Sequence, residues 1–349
     1  MPWFVCACAG VAAAAVIGTS VFAEDAQPAP LKVGVVGYEG HGLVWTNELN
    51  GGAGPRFGLR VSHVWHKAPV DAAAVEQYGF EVVANPGDMI GAVDGVIIAE
   101  ELPHRYRELA EPFLRAGVPT FLNRPLAGSA EDAAALIRLA SDSGTPIFAA
   151  STLAVDPVAF EARDARSEFE PIKVANVTGP SDHFWWYVPH ALSPLITVLG
   201  PGIEEVEVHD FAWAEEGVRF RNPLVIFFRY GPDSAVGPVR GTIQVVPATQ
   251  EGDWYGFRLK LYGRRESPEY RLLQPPAGVS GYAPVYEHLA RFFRTGECPF
   301  TDAELFEVPL AMDMILRSGL EDRPVLRSEY ETSLAVLAGA PGGREATGP

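Results

Sequence analysis

Between residues 32 and 150 the chain alternates short apolar runs with amphipathic stretches of roughly ten to sixteen residues, and this alternation narrows the fold more than any other feature. "KVGVVG" (32–37), "LRVSHVWH" (59–66), "VDGVIIAE" (93–100), "PTFLN" (119–123) and "PIFAA" (146–150) read as strands. They are nearly continuous in apolar residues, as strands covered on both faces must be. Between them, 43–49, 70–79, 104–117 and 129–144 read as helices, the last opened by Ser129 with Asp132 and closed by Gly144. Such βαβ units imply an α/β half, a doubly wound Rossmann-type parallel sheet over 31–150. Its ligand crevice lies at the strand carboxyl ends, where Gly37, Glu100, Arg124 and Ser151 fall.

From about residue 170 the rhythm changes. "IKVANVTG", "IEEVEVHDFAW", "GVRFRNPLVIFFRYG", "VGPVRGTIQVVP", "GFRLKLYG" and "EYRLLQ" are consecutive strands broken by Gly, Pro and Asp, which implies an open antiparallel sheet. Helices return at 283–295 and 302–318, the second with a kink expected at Pro309. The second half is therefore an α+β domain over 151–328. The Gly- and Pro-rich end leads us to expect a disordered tail over 331–349.

Residues 1–23 carry no charged side chain and end in Val21-Phe22-Ala23, followed by Glu24 and Asp25. This reads as a signal peptide cleaved after Ala23, giving an exported chain with no stable membrane insertion. The alternative is an uncleaved anchor, because about 20 apolar residues span a bilayer. Cleavage leaves Cys298 as the one cysteine, so no internal disulfide holds the fold. The formal net charge of -17 argues against a nucleic-acid partner.

"NRPLAGSAEDAAALIRLASDSGTPIFAA" (123–150), "FWWYVPHALSPLITVLG" (184–200) and "YEHLARFFRTGECPF…LAMDMILRSGLEDRPV" (286–325) resemble segments of the glucose–fructose oxidoreductase/inositol dehydrogenase (Gfo/Idh/MocA) family. The likeness covers almost all of residues 31–328. It implies an NAD- or NADP-linked oxidoreductase acting on a sugar, cyclitol or related polyol, with homo-oligomers formed through the antiparallel sheet. It also implies a catalytic role for His190 and, where the family carries Glu-Lys-Pro, a site segment Asn123-Arg124-Pro125. The dinucleotide would lie against Gly37, Glu39, Gly40, Gly42, Glu100 and Asn123, with His66 and Lys67 at the ribose end. The neighbours His183, Trp185, Trp186 and Tyr187 would face the substrate, since aromatic surfaces suit the apolar faces of a sugar.

The site departs from the family pattern in ways with physical consequences. Glu39 stands where the middle glycine lets backbone approach a pyrophosphate. Either its carboxylate caps the following helix as a built-in anion, or the loop bulges at Gly40 and carries it away. The second strand ends in Trp65-His66-Lys67, without a carboxylate for a ribose, and His66 and Lys67 could receive a 2'-phosphate instead. Arg124 cannot relay protons, because a guanidinium stays charged; it either contacts substrate or pairs with Glu100 or Glu101. His190 is either a general base or a helix residue packed into the domain interface. No metal set is expected: Asp182, His183 and His190 do not have ligand spacing. The alternative function is a non-redox carbohydrate-binding protein on the same fold that has lost its dinucleotide.

Overall fold

The computed structural model describes residues 29–213, 219–247 and 256–340. The segment expected to be a signal peptide and the final residues 341–349 lie outside the described residues. Among the described residues, no helix is long and apolar enough to cross a membrane.

The first half is the expected parallel sheet. Strands β1 (Leu31–Val36), β2 (Leu59–Trp65), β3 (Glu81–Val82), β4 (Gly95–Ile98), β5 (Thr120–Asn123) and β6 (Ile147–Ala150) run in the order β3-β2-β1-β4-β5-β6. Every pairing is parallel. Helices α1 (Gly40–Glu48), α2 (Gly54–Phe57), α3 (Ala72–Tyr78), α4 (Tyr106–Arg115) and α5 (Ala130–Ser143) connect the strands. The strand side chains are apolar because both faces are covered: Val33, Val35, Val96, Ile97, Ile98, Phe121, Leu122 and Phe148 are all at most 1% exposed. Strand order reverses between β1 and β4, so the crevice opens there. β3 has only two residues, too short for its pattern to stand out in the sequence.

After α6 (Pro157–Asp164) comes the second sheet: β7 (Val174–Pro180), β8 (Ile203–Val208), β9 (Leu224–Tyr230), β10 (Arg240–Val246), β11 (Phe257–Tyr262), β12 (Tyr270–Leu272) and β13 (Val325–Leu326). The order is β12-β11-β7-β10-β9-β8-β13. The expectation of an antiparallel sheet needs one correction, because β7 lies between β11 and β10 and pairs with β10 in parallel. One face is covered by α7 (Phe184–Leu199) and α9 (Asp302–Glu321). The strands alternate accordingly. In β9, Leu224, Ile226, Phe228 and Tyr230 are buried, whereas Phe227 on the open face is 44% exposed.

Helix α8 (Ala283–Thr295) returns to the first sheet. The Phe293 ring lies against Gly95, Phe292 against Phe148, and Arg294 Nη2 donates to the Phe57 carbonyl. α9 starts with a capping box of Thr301 and Glu304 and continues as one helix through Pro309. The expected disorder from residue 331 is corrected at its start, where α10 (Glu331–Ala338) packs on α5.

Candidate active site

The turn after β1 keeps two glycines for reasons of packing. Gly37 has φ +101°, and a Cβ there would lie 2.6 Å from the Glu100 amide nitrogen, so only glycine brings the end of β1 against that of β4. A Cβ on Gly42 would lie 1.9 Å from the Gly37 carbonyl oxygen, so α1 sits directly on the turn. Gly40, with φ +47°, starts α1. Glu39 itself is extended, with φ −145° and ψ 165°, a backbone any residue adopts.

The Glu39 carboxylate neither caps α1 nor swings out to solvent. It lies across the mouth of the turn, where Oε1 accepts from Lys67 Nζ at 2.7 Å and from the Glu101 amide at 3.3 Å. Lys67 Nζ also donates to Glu100 Oε2 at 3.2 Å. His66 packs against the turn, its Nδ1 accepting from the Tyr38 amide at 3.2 Å, and its Nε2 lies 4.0 Å from Glu39 Oε2. Burial alone would lower the Lys67 pKa, but the hydrogen bonds and charges of Glu39 and Glu100 outweigh it and raise it. The neighbouring Glu101 carboxyl is pushed up, first by burial and then by the Glu39 charge. Donor atoms of Glu39, His66 and Glu100 lie within 4.8 Å of one another, a spacing that suits a cation, and the Lys67 ammonium is the cation placed among them.

This network bears on how the residues would receive a dinucleotide. A pyrophosphate seated on the turn would have the Glu39 carboxylate as a neighbour, and the end of β2, Trp65-His66-Lys67, offers no acid to a ribose. For the 2'-phosphate role expected of His66 and Lys67, the structure shows the partners these two side chains have without a ligand. Lys67 bridges Glu39 and Glu100, and His66 accepts from the Tyr38 amide of the turn.

A second polar group sits where β5 and β6 end. Arg124 follows β5 and is joined to Pro125 by a cis peptide bond. Its Nε donates to His190 Nε2 at 3.0 Å. That bond requires a lone pair on Nε2, so the His190 proton is on Nδ1 and is donated to Ser151 Oγ at 2.5 Å. His190 is 8% exposed, and its pKa is held well below 6.5 by burial, then by the Arg124 charge and by His41. His190 is thus neutral with both nitrogens engaged. It can act as a base only if Arg124 moves. The pairing of Arg124 with Glu100 or Glu101, left open by the sequence, does not form.

His41, in the first turn of α1, completes the group. Its Nδ1 meets Asn123 Oδ1 at 3.0 Å, and its ring stacks on Trp45 at 5.0 Å and meets the Tyr282 ring edge-on at 5.2 Å. With Nδ1 donating to Asn123, the Nε2 lone pair stays unclaimed among the described residues. Burial first, and the Arg124 charge second, hold the His41 pKa well below 6.5. This is the better-placed base of the two histidines.

The aromatic wall divides. Tyr187 lies 5.8 Å from the His190 ring and stacks on Phe257 at 6.4 Å, beside the polar group. His183 is the N-cap of α7, its Nδ1 accepting from the Trp186 amide at 3.2 Å, and its ring stacks on Trp186 at 4.0 Å. Trp185 is 7% exposed and packs on His104 and Phe184. The structure therefore gathers Asn123, Arg124, His190 and Tyr187, and gives His183, Trp185 and Trp186 packing partners at the start of α7. Sequence reasoning placed Ser151 at the crevice without giving it a role, and missed His41 and Tyr282 as members of the site. A histidine between the turn glycines was the only local signal; Tyr282 is brought in by the return of α8.

Residues 31–151 match the profile of a family described as an oxidoreductase family with an NAD-binding Rossmann fold. No curated protein matches the chain significantly. Solved structures share the fold over most of both chains. An oxidoreductase from Agrobacterium radiobacter in complex with NAD+, L-tartaric acid and magnesium has a TM-score of 0.67 at 15% identity, over 86% of this chain and 99% of that one. An oxidoreductase from Sinorhizobium meliloti gives 0.68 at 16%, over 85% and 99%. The WlbA dehydrogenase from Bordetella pertussis, in complex with NADH and UDP-GlcNAcA, gives 0.67 at 16%, over 85% and 98%.

Proposed function

We propose that this chain is a Gfo/Idh/MocA-type protein that binds a carbohydrate-like small molecule, a sugar, cyclitol or related polyol, between its two sheets, and does so without a dinucleotide in the usual seat. The Glu39–Lys67–Glu100 network carries this reading, because it fills the switch point between β1 and β4 with the chain's own charges. The ligand would lie beside Arg124, His41, Asn123, Tyr187 and Tyr282, a few polar groups among aromatic rings. His41 Nε2 would take a proton from a ligand hydroxyl, and Arg124 would orient the ligand. Export, expected from residues 1–23, points the same way, since no free nicotinamide pool is expected outside the cytoplasm.

A second reading, an NAD(P)-linked oxidoreductase, is favoured by the family match over 31–151 and by the NAD and NADH complexes of similar fold. It requires the Glu39–Lys67 pair to open. Native mass spectrometry of the purified full chain separates the two. The expected spectrum shows protein without NAD or NADP, and polyols raise the melting temperature while NADH and NADPH do not. Stoichiometric NAD(P) carried through purification would establish the second reading instead.

A further inference from the structure

We propose that the ligand is an acid, a polyhydroxylated compound bearing a carboxylate such as an aldonate or a uronate, and that Arg124 receives its charge. The inference rests on the reading of the crevice as a ligand site and adds the ligand's chemical class.

The observation behind it is a guanidinium without a counter-ion. Arg124 donates from Nε to His190 and forms no ion pair with any carboxylate among the described residues. The groups facing it come from every element around the crevice. His41 on α1 and His190 on α7 are neutral, and Tyr106 on α4, Tyr187 on α7 and Tyr282 before α8 present phenols. Two carboxylates of the surrounding elements bond elsewhere: Glu100 Oε2 accepts from Lys67, and Glu304, which shares a small pocket with Arg124 and Ser151, closes the capping box on Thr301. Burial lowers the Arg124 pKa, yet a guanidinium remains charged at neutral pH. A cation taken out of water without a partner is costly, and an incoming anion removes that cost.

The charge is also reachable. Arg124, His41, Tyr187 and Tyr282 all keep part of their surface exposed. With Nε held by His190, the two Nη groups remain to grip an anion, and their planar fork matches the two oxygens of a carboxylate. His41 Nε2 and the Tyr282 hydroxyl then stand ready for hydroxyls on the same molecule. Arginine in the place where the family resemblance implies lysine also fits an anion receptor, which needs a permanent charge, better than a proton relay.

Calorimetry on the full chain near neutral pH tests this with D-glucuronate and D-gluconate against the neutral D-glucose and myo-inositol, and with inorganic phosphate and sulfate. The acids should bind at least about tenfold more tightly than the neutral compounds, a difference of about 1.4 kcal/mol. Arg124→Gln should abolish that preference, and Arg124→Lys should keep part of it. Should Arg124→Gln fail to fold, the acid-to-neutral ratio in the parent and in Arg124→Lys decides. Equal binding of acids and neutral compounds, or a preference that survives Arg124→Gln, would overturn the acid while leaving the crevice as a polyol site. Phosphate or sulfate displacing the acids would overturn the carboxylate. Binding of none of these compounds to the parent would end both readings.

Discussion

Glu307→Leu should destabilise the protein by about 3–5 kcal/mol, the usual cost of removing one partner from a buried ion pair. Glu307 is fully buried on α9, where Oε1 accepts from the Gly202 and Ile203 amides at 2.9 and 2.7 Å. Its Oε2 accepts from Arg327 Nη1 at 2.7 Å. Leucine fills much of the volume but leaves two amide donors and a guanidinium without their acceptor. Glu307→Gln, which keeps an acceptor and loses the charge, should cost less, about 1–3 kcal/mol. Urea unfolding of the three proteins measures this. A midpoint for Glu307→Leu equal to the parent's would mean that the pair's own desolvation cancels its gain. The carboxylate matters to the crevice because it fixes the start of β8 to α9, whose first turns line the pocket behind Arg124 and Ser151.

Acidification from pH 7 to pH 5 should cost about 2 kcal/mol through His288 alone, at about 1.4 kcal/mol per pH unit across the window in which only the unfolded form is protonated. His288, beside the Phe160 ring, is lowered from the ordinary 6.5 to about 4 by burial and then by the Arg291 charge. As pH falls through 6.5 the unfolded histidine takes a proton and the folded one does not, until about 4. The unfolded state therefore binds more protons in this window, and stability falls as pH falls. His41 and His190 are lowered as well and act in the same direction. Asp156 and Asp313, raised by burial, oppose the loss at the acid end. Urea midpoints at several pH values should show the decline, and His288→Gln should flatten it. A profile that His288→Gln leaves unchanged would place the proton uptake elsewhere.

The parallel sheet was legible because its signals are local. Each strand is a short run covered on both faces, and glycine or proline marks most of its ends. The second sheet was legible as strands but not as a pairing pattern. Placing β7 between β10 and β11 depends on contacts between residues far apart in sequence, such as Asn176 with Thr242. The return of α8 is of the same kind: nothing near Phe293 tells that its ring will pack on Gly95.

At the site, the sequence showed where the family pattern breaks but not what the new side chains do. The absence of a glycine at 39 was plain. That Glu39 would find Lys67 and the Glu101 amide, and leave α1 uncapped, depends on where three strand ends meet. Arg124 was found through its place in Asn123-Arg124-Pro125, and its partner His190 through the helix that resembles the family's. His183 and Trp185 have local roles that the sequence alone did not show. An aromatic cluster at a helix start serves equally as cap and packing, and here His183 caps α7 while Trp185 is buried.

The claim that the chain's own charges close the dinucleotide seat is tested most directly by titrating NADH into the parent and into Glu39→Gly by calorimetry. A carboxylate about 4 Å from a phosphate charge costs up to about 4 kcal/mol at an effective dielectric near 20. Removing it also releases one of the two carboxylates that hold Lys67. The account predicts no measurable heat with the parent and binding at least about tenfold tighter in Glu39→Gly. Tight binding of NADH to the parent, unchanged in Glu39→Gly, would contradict it.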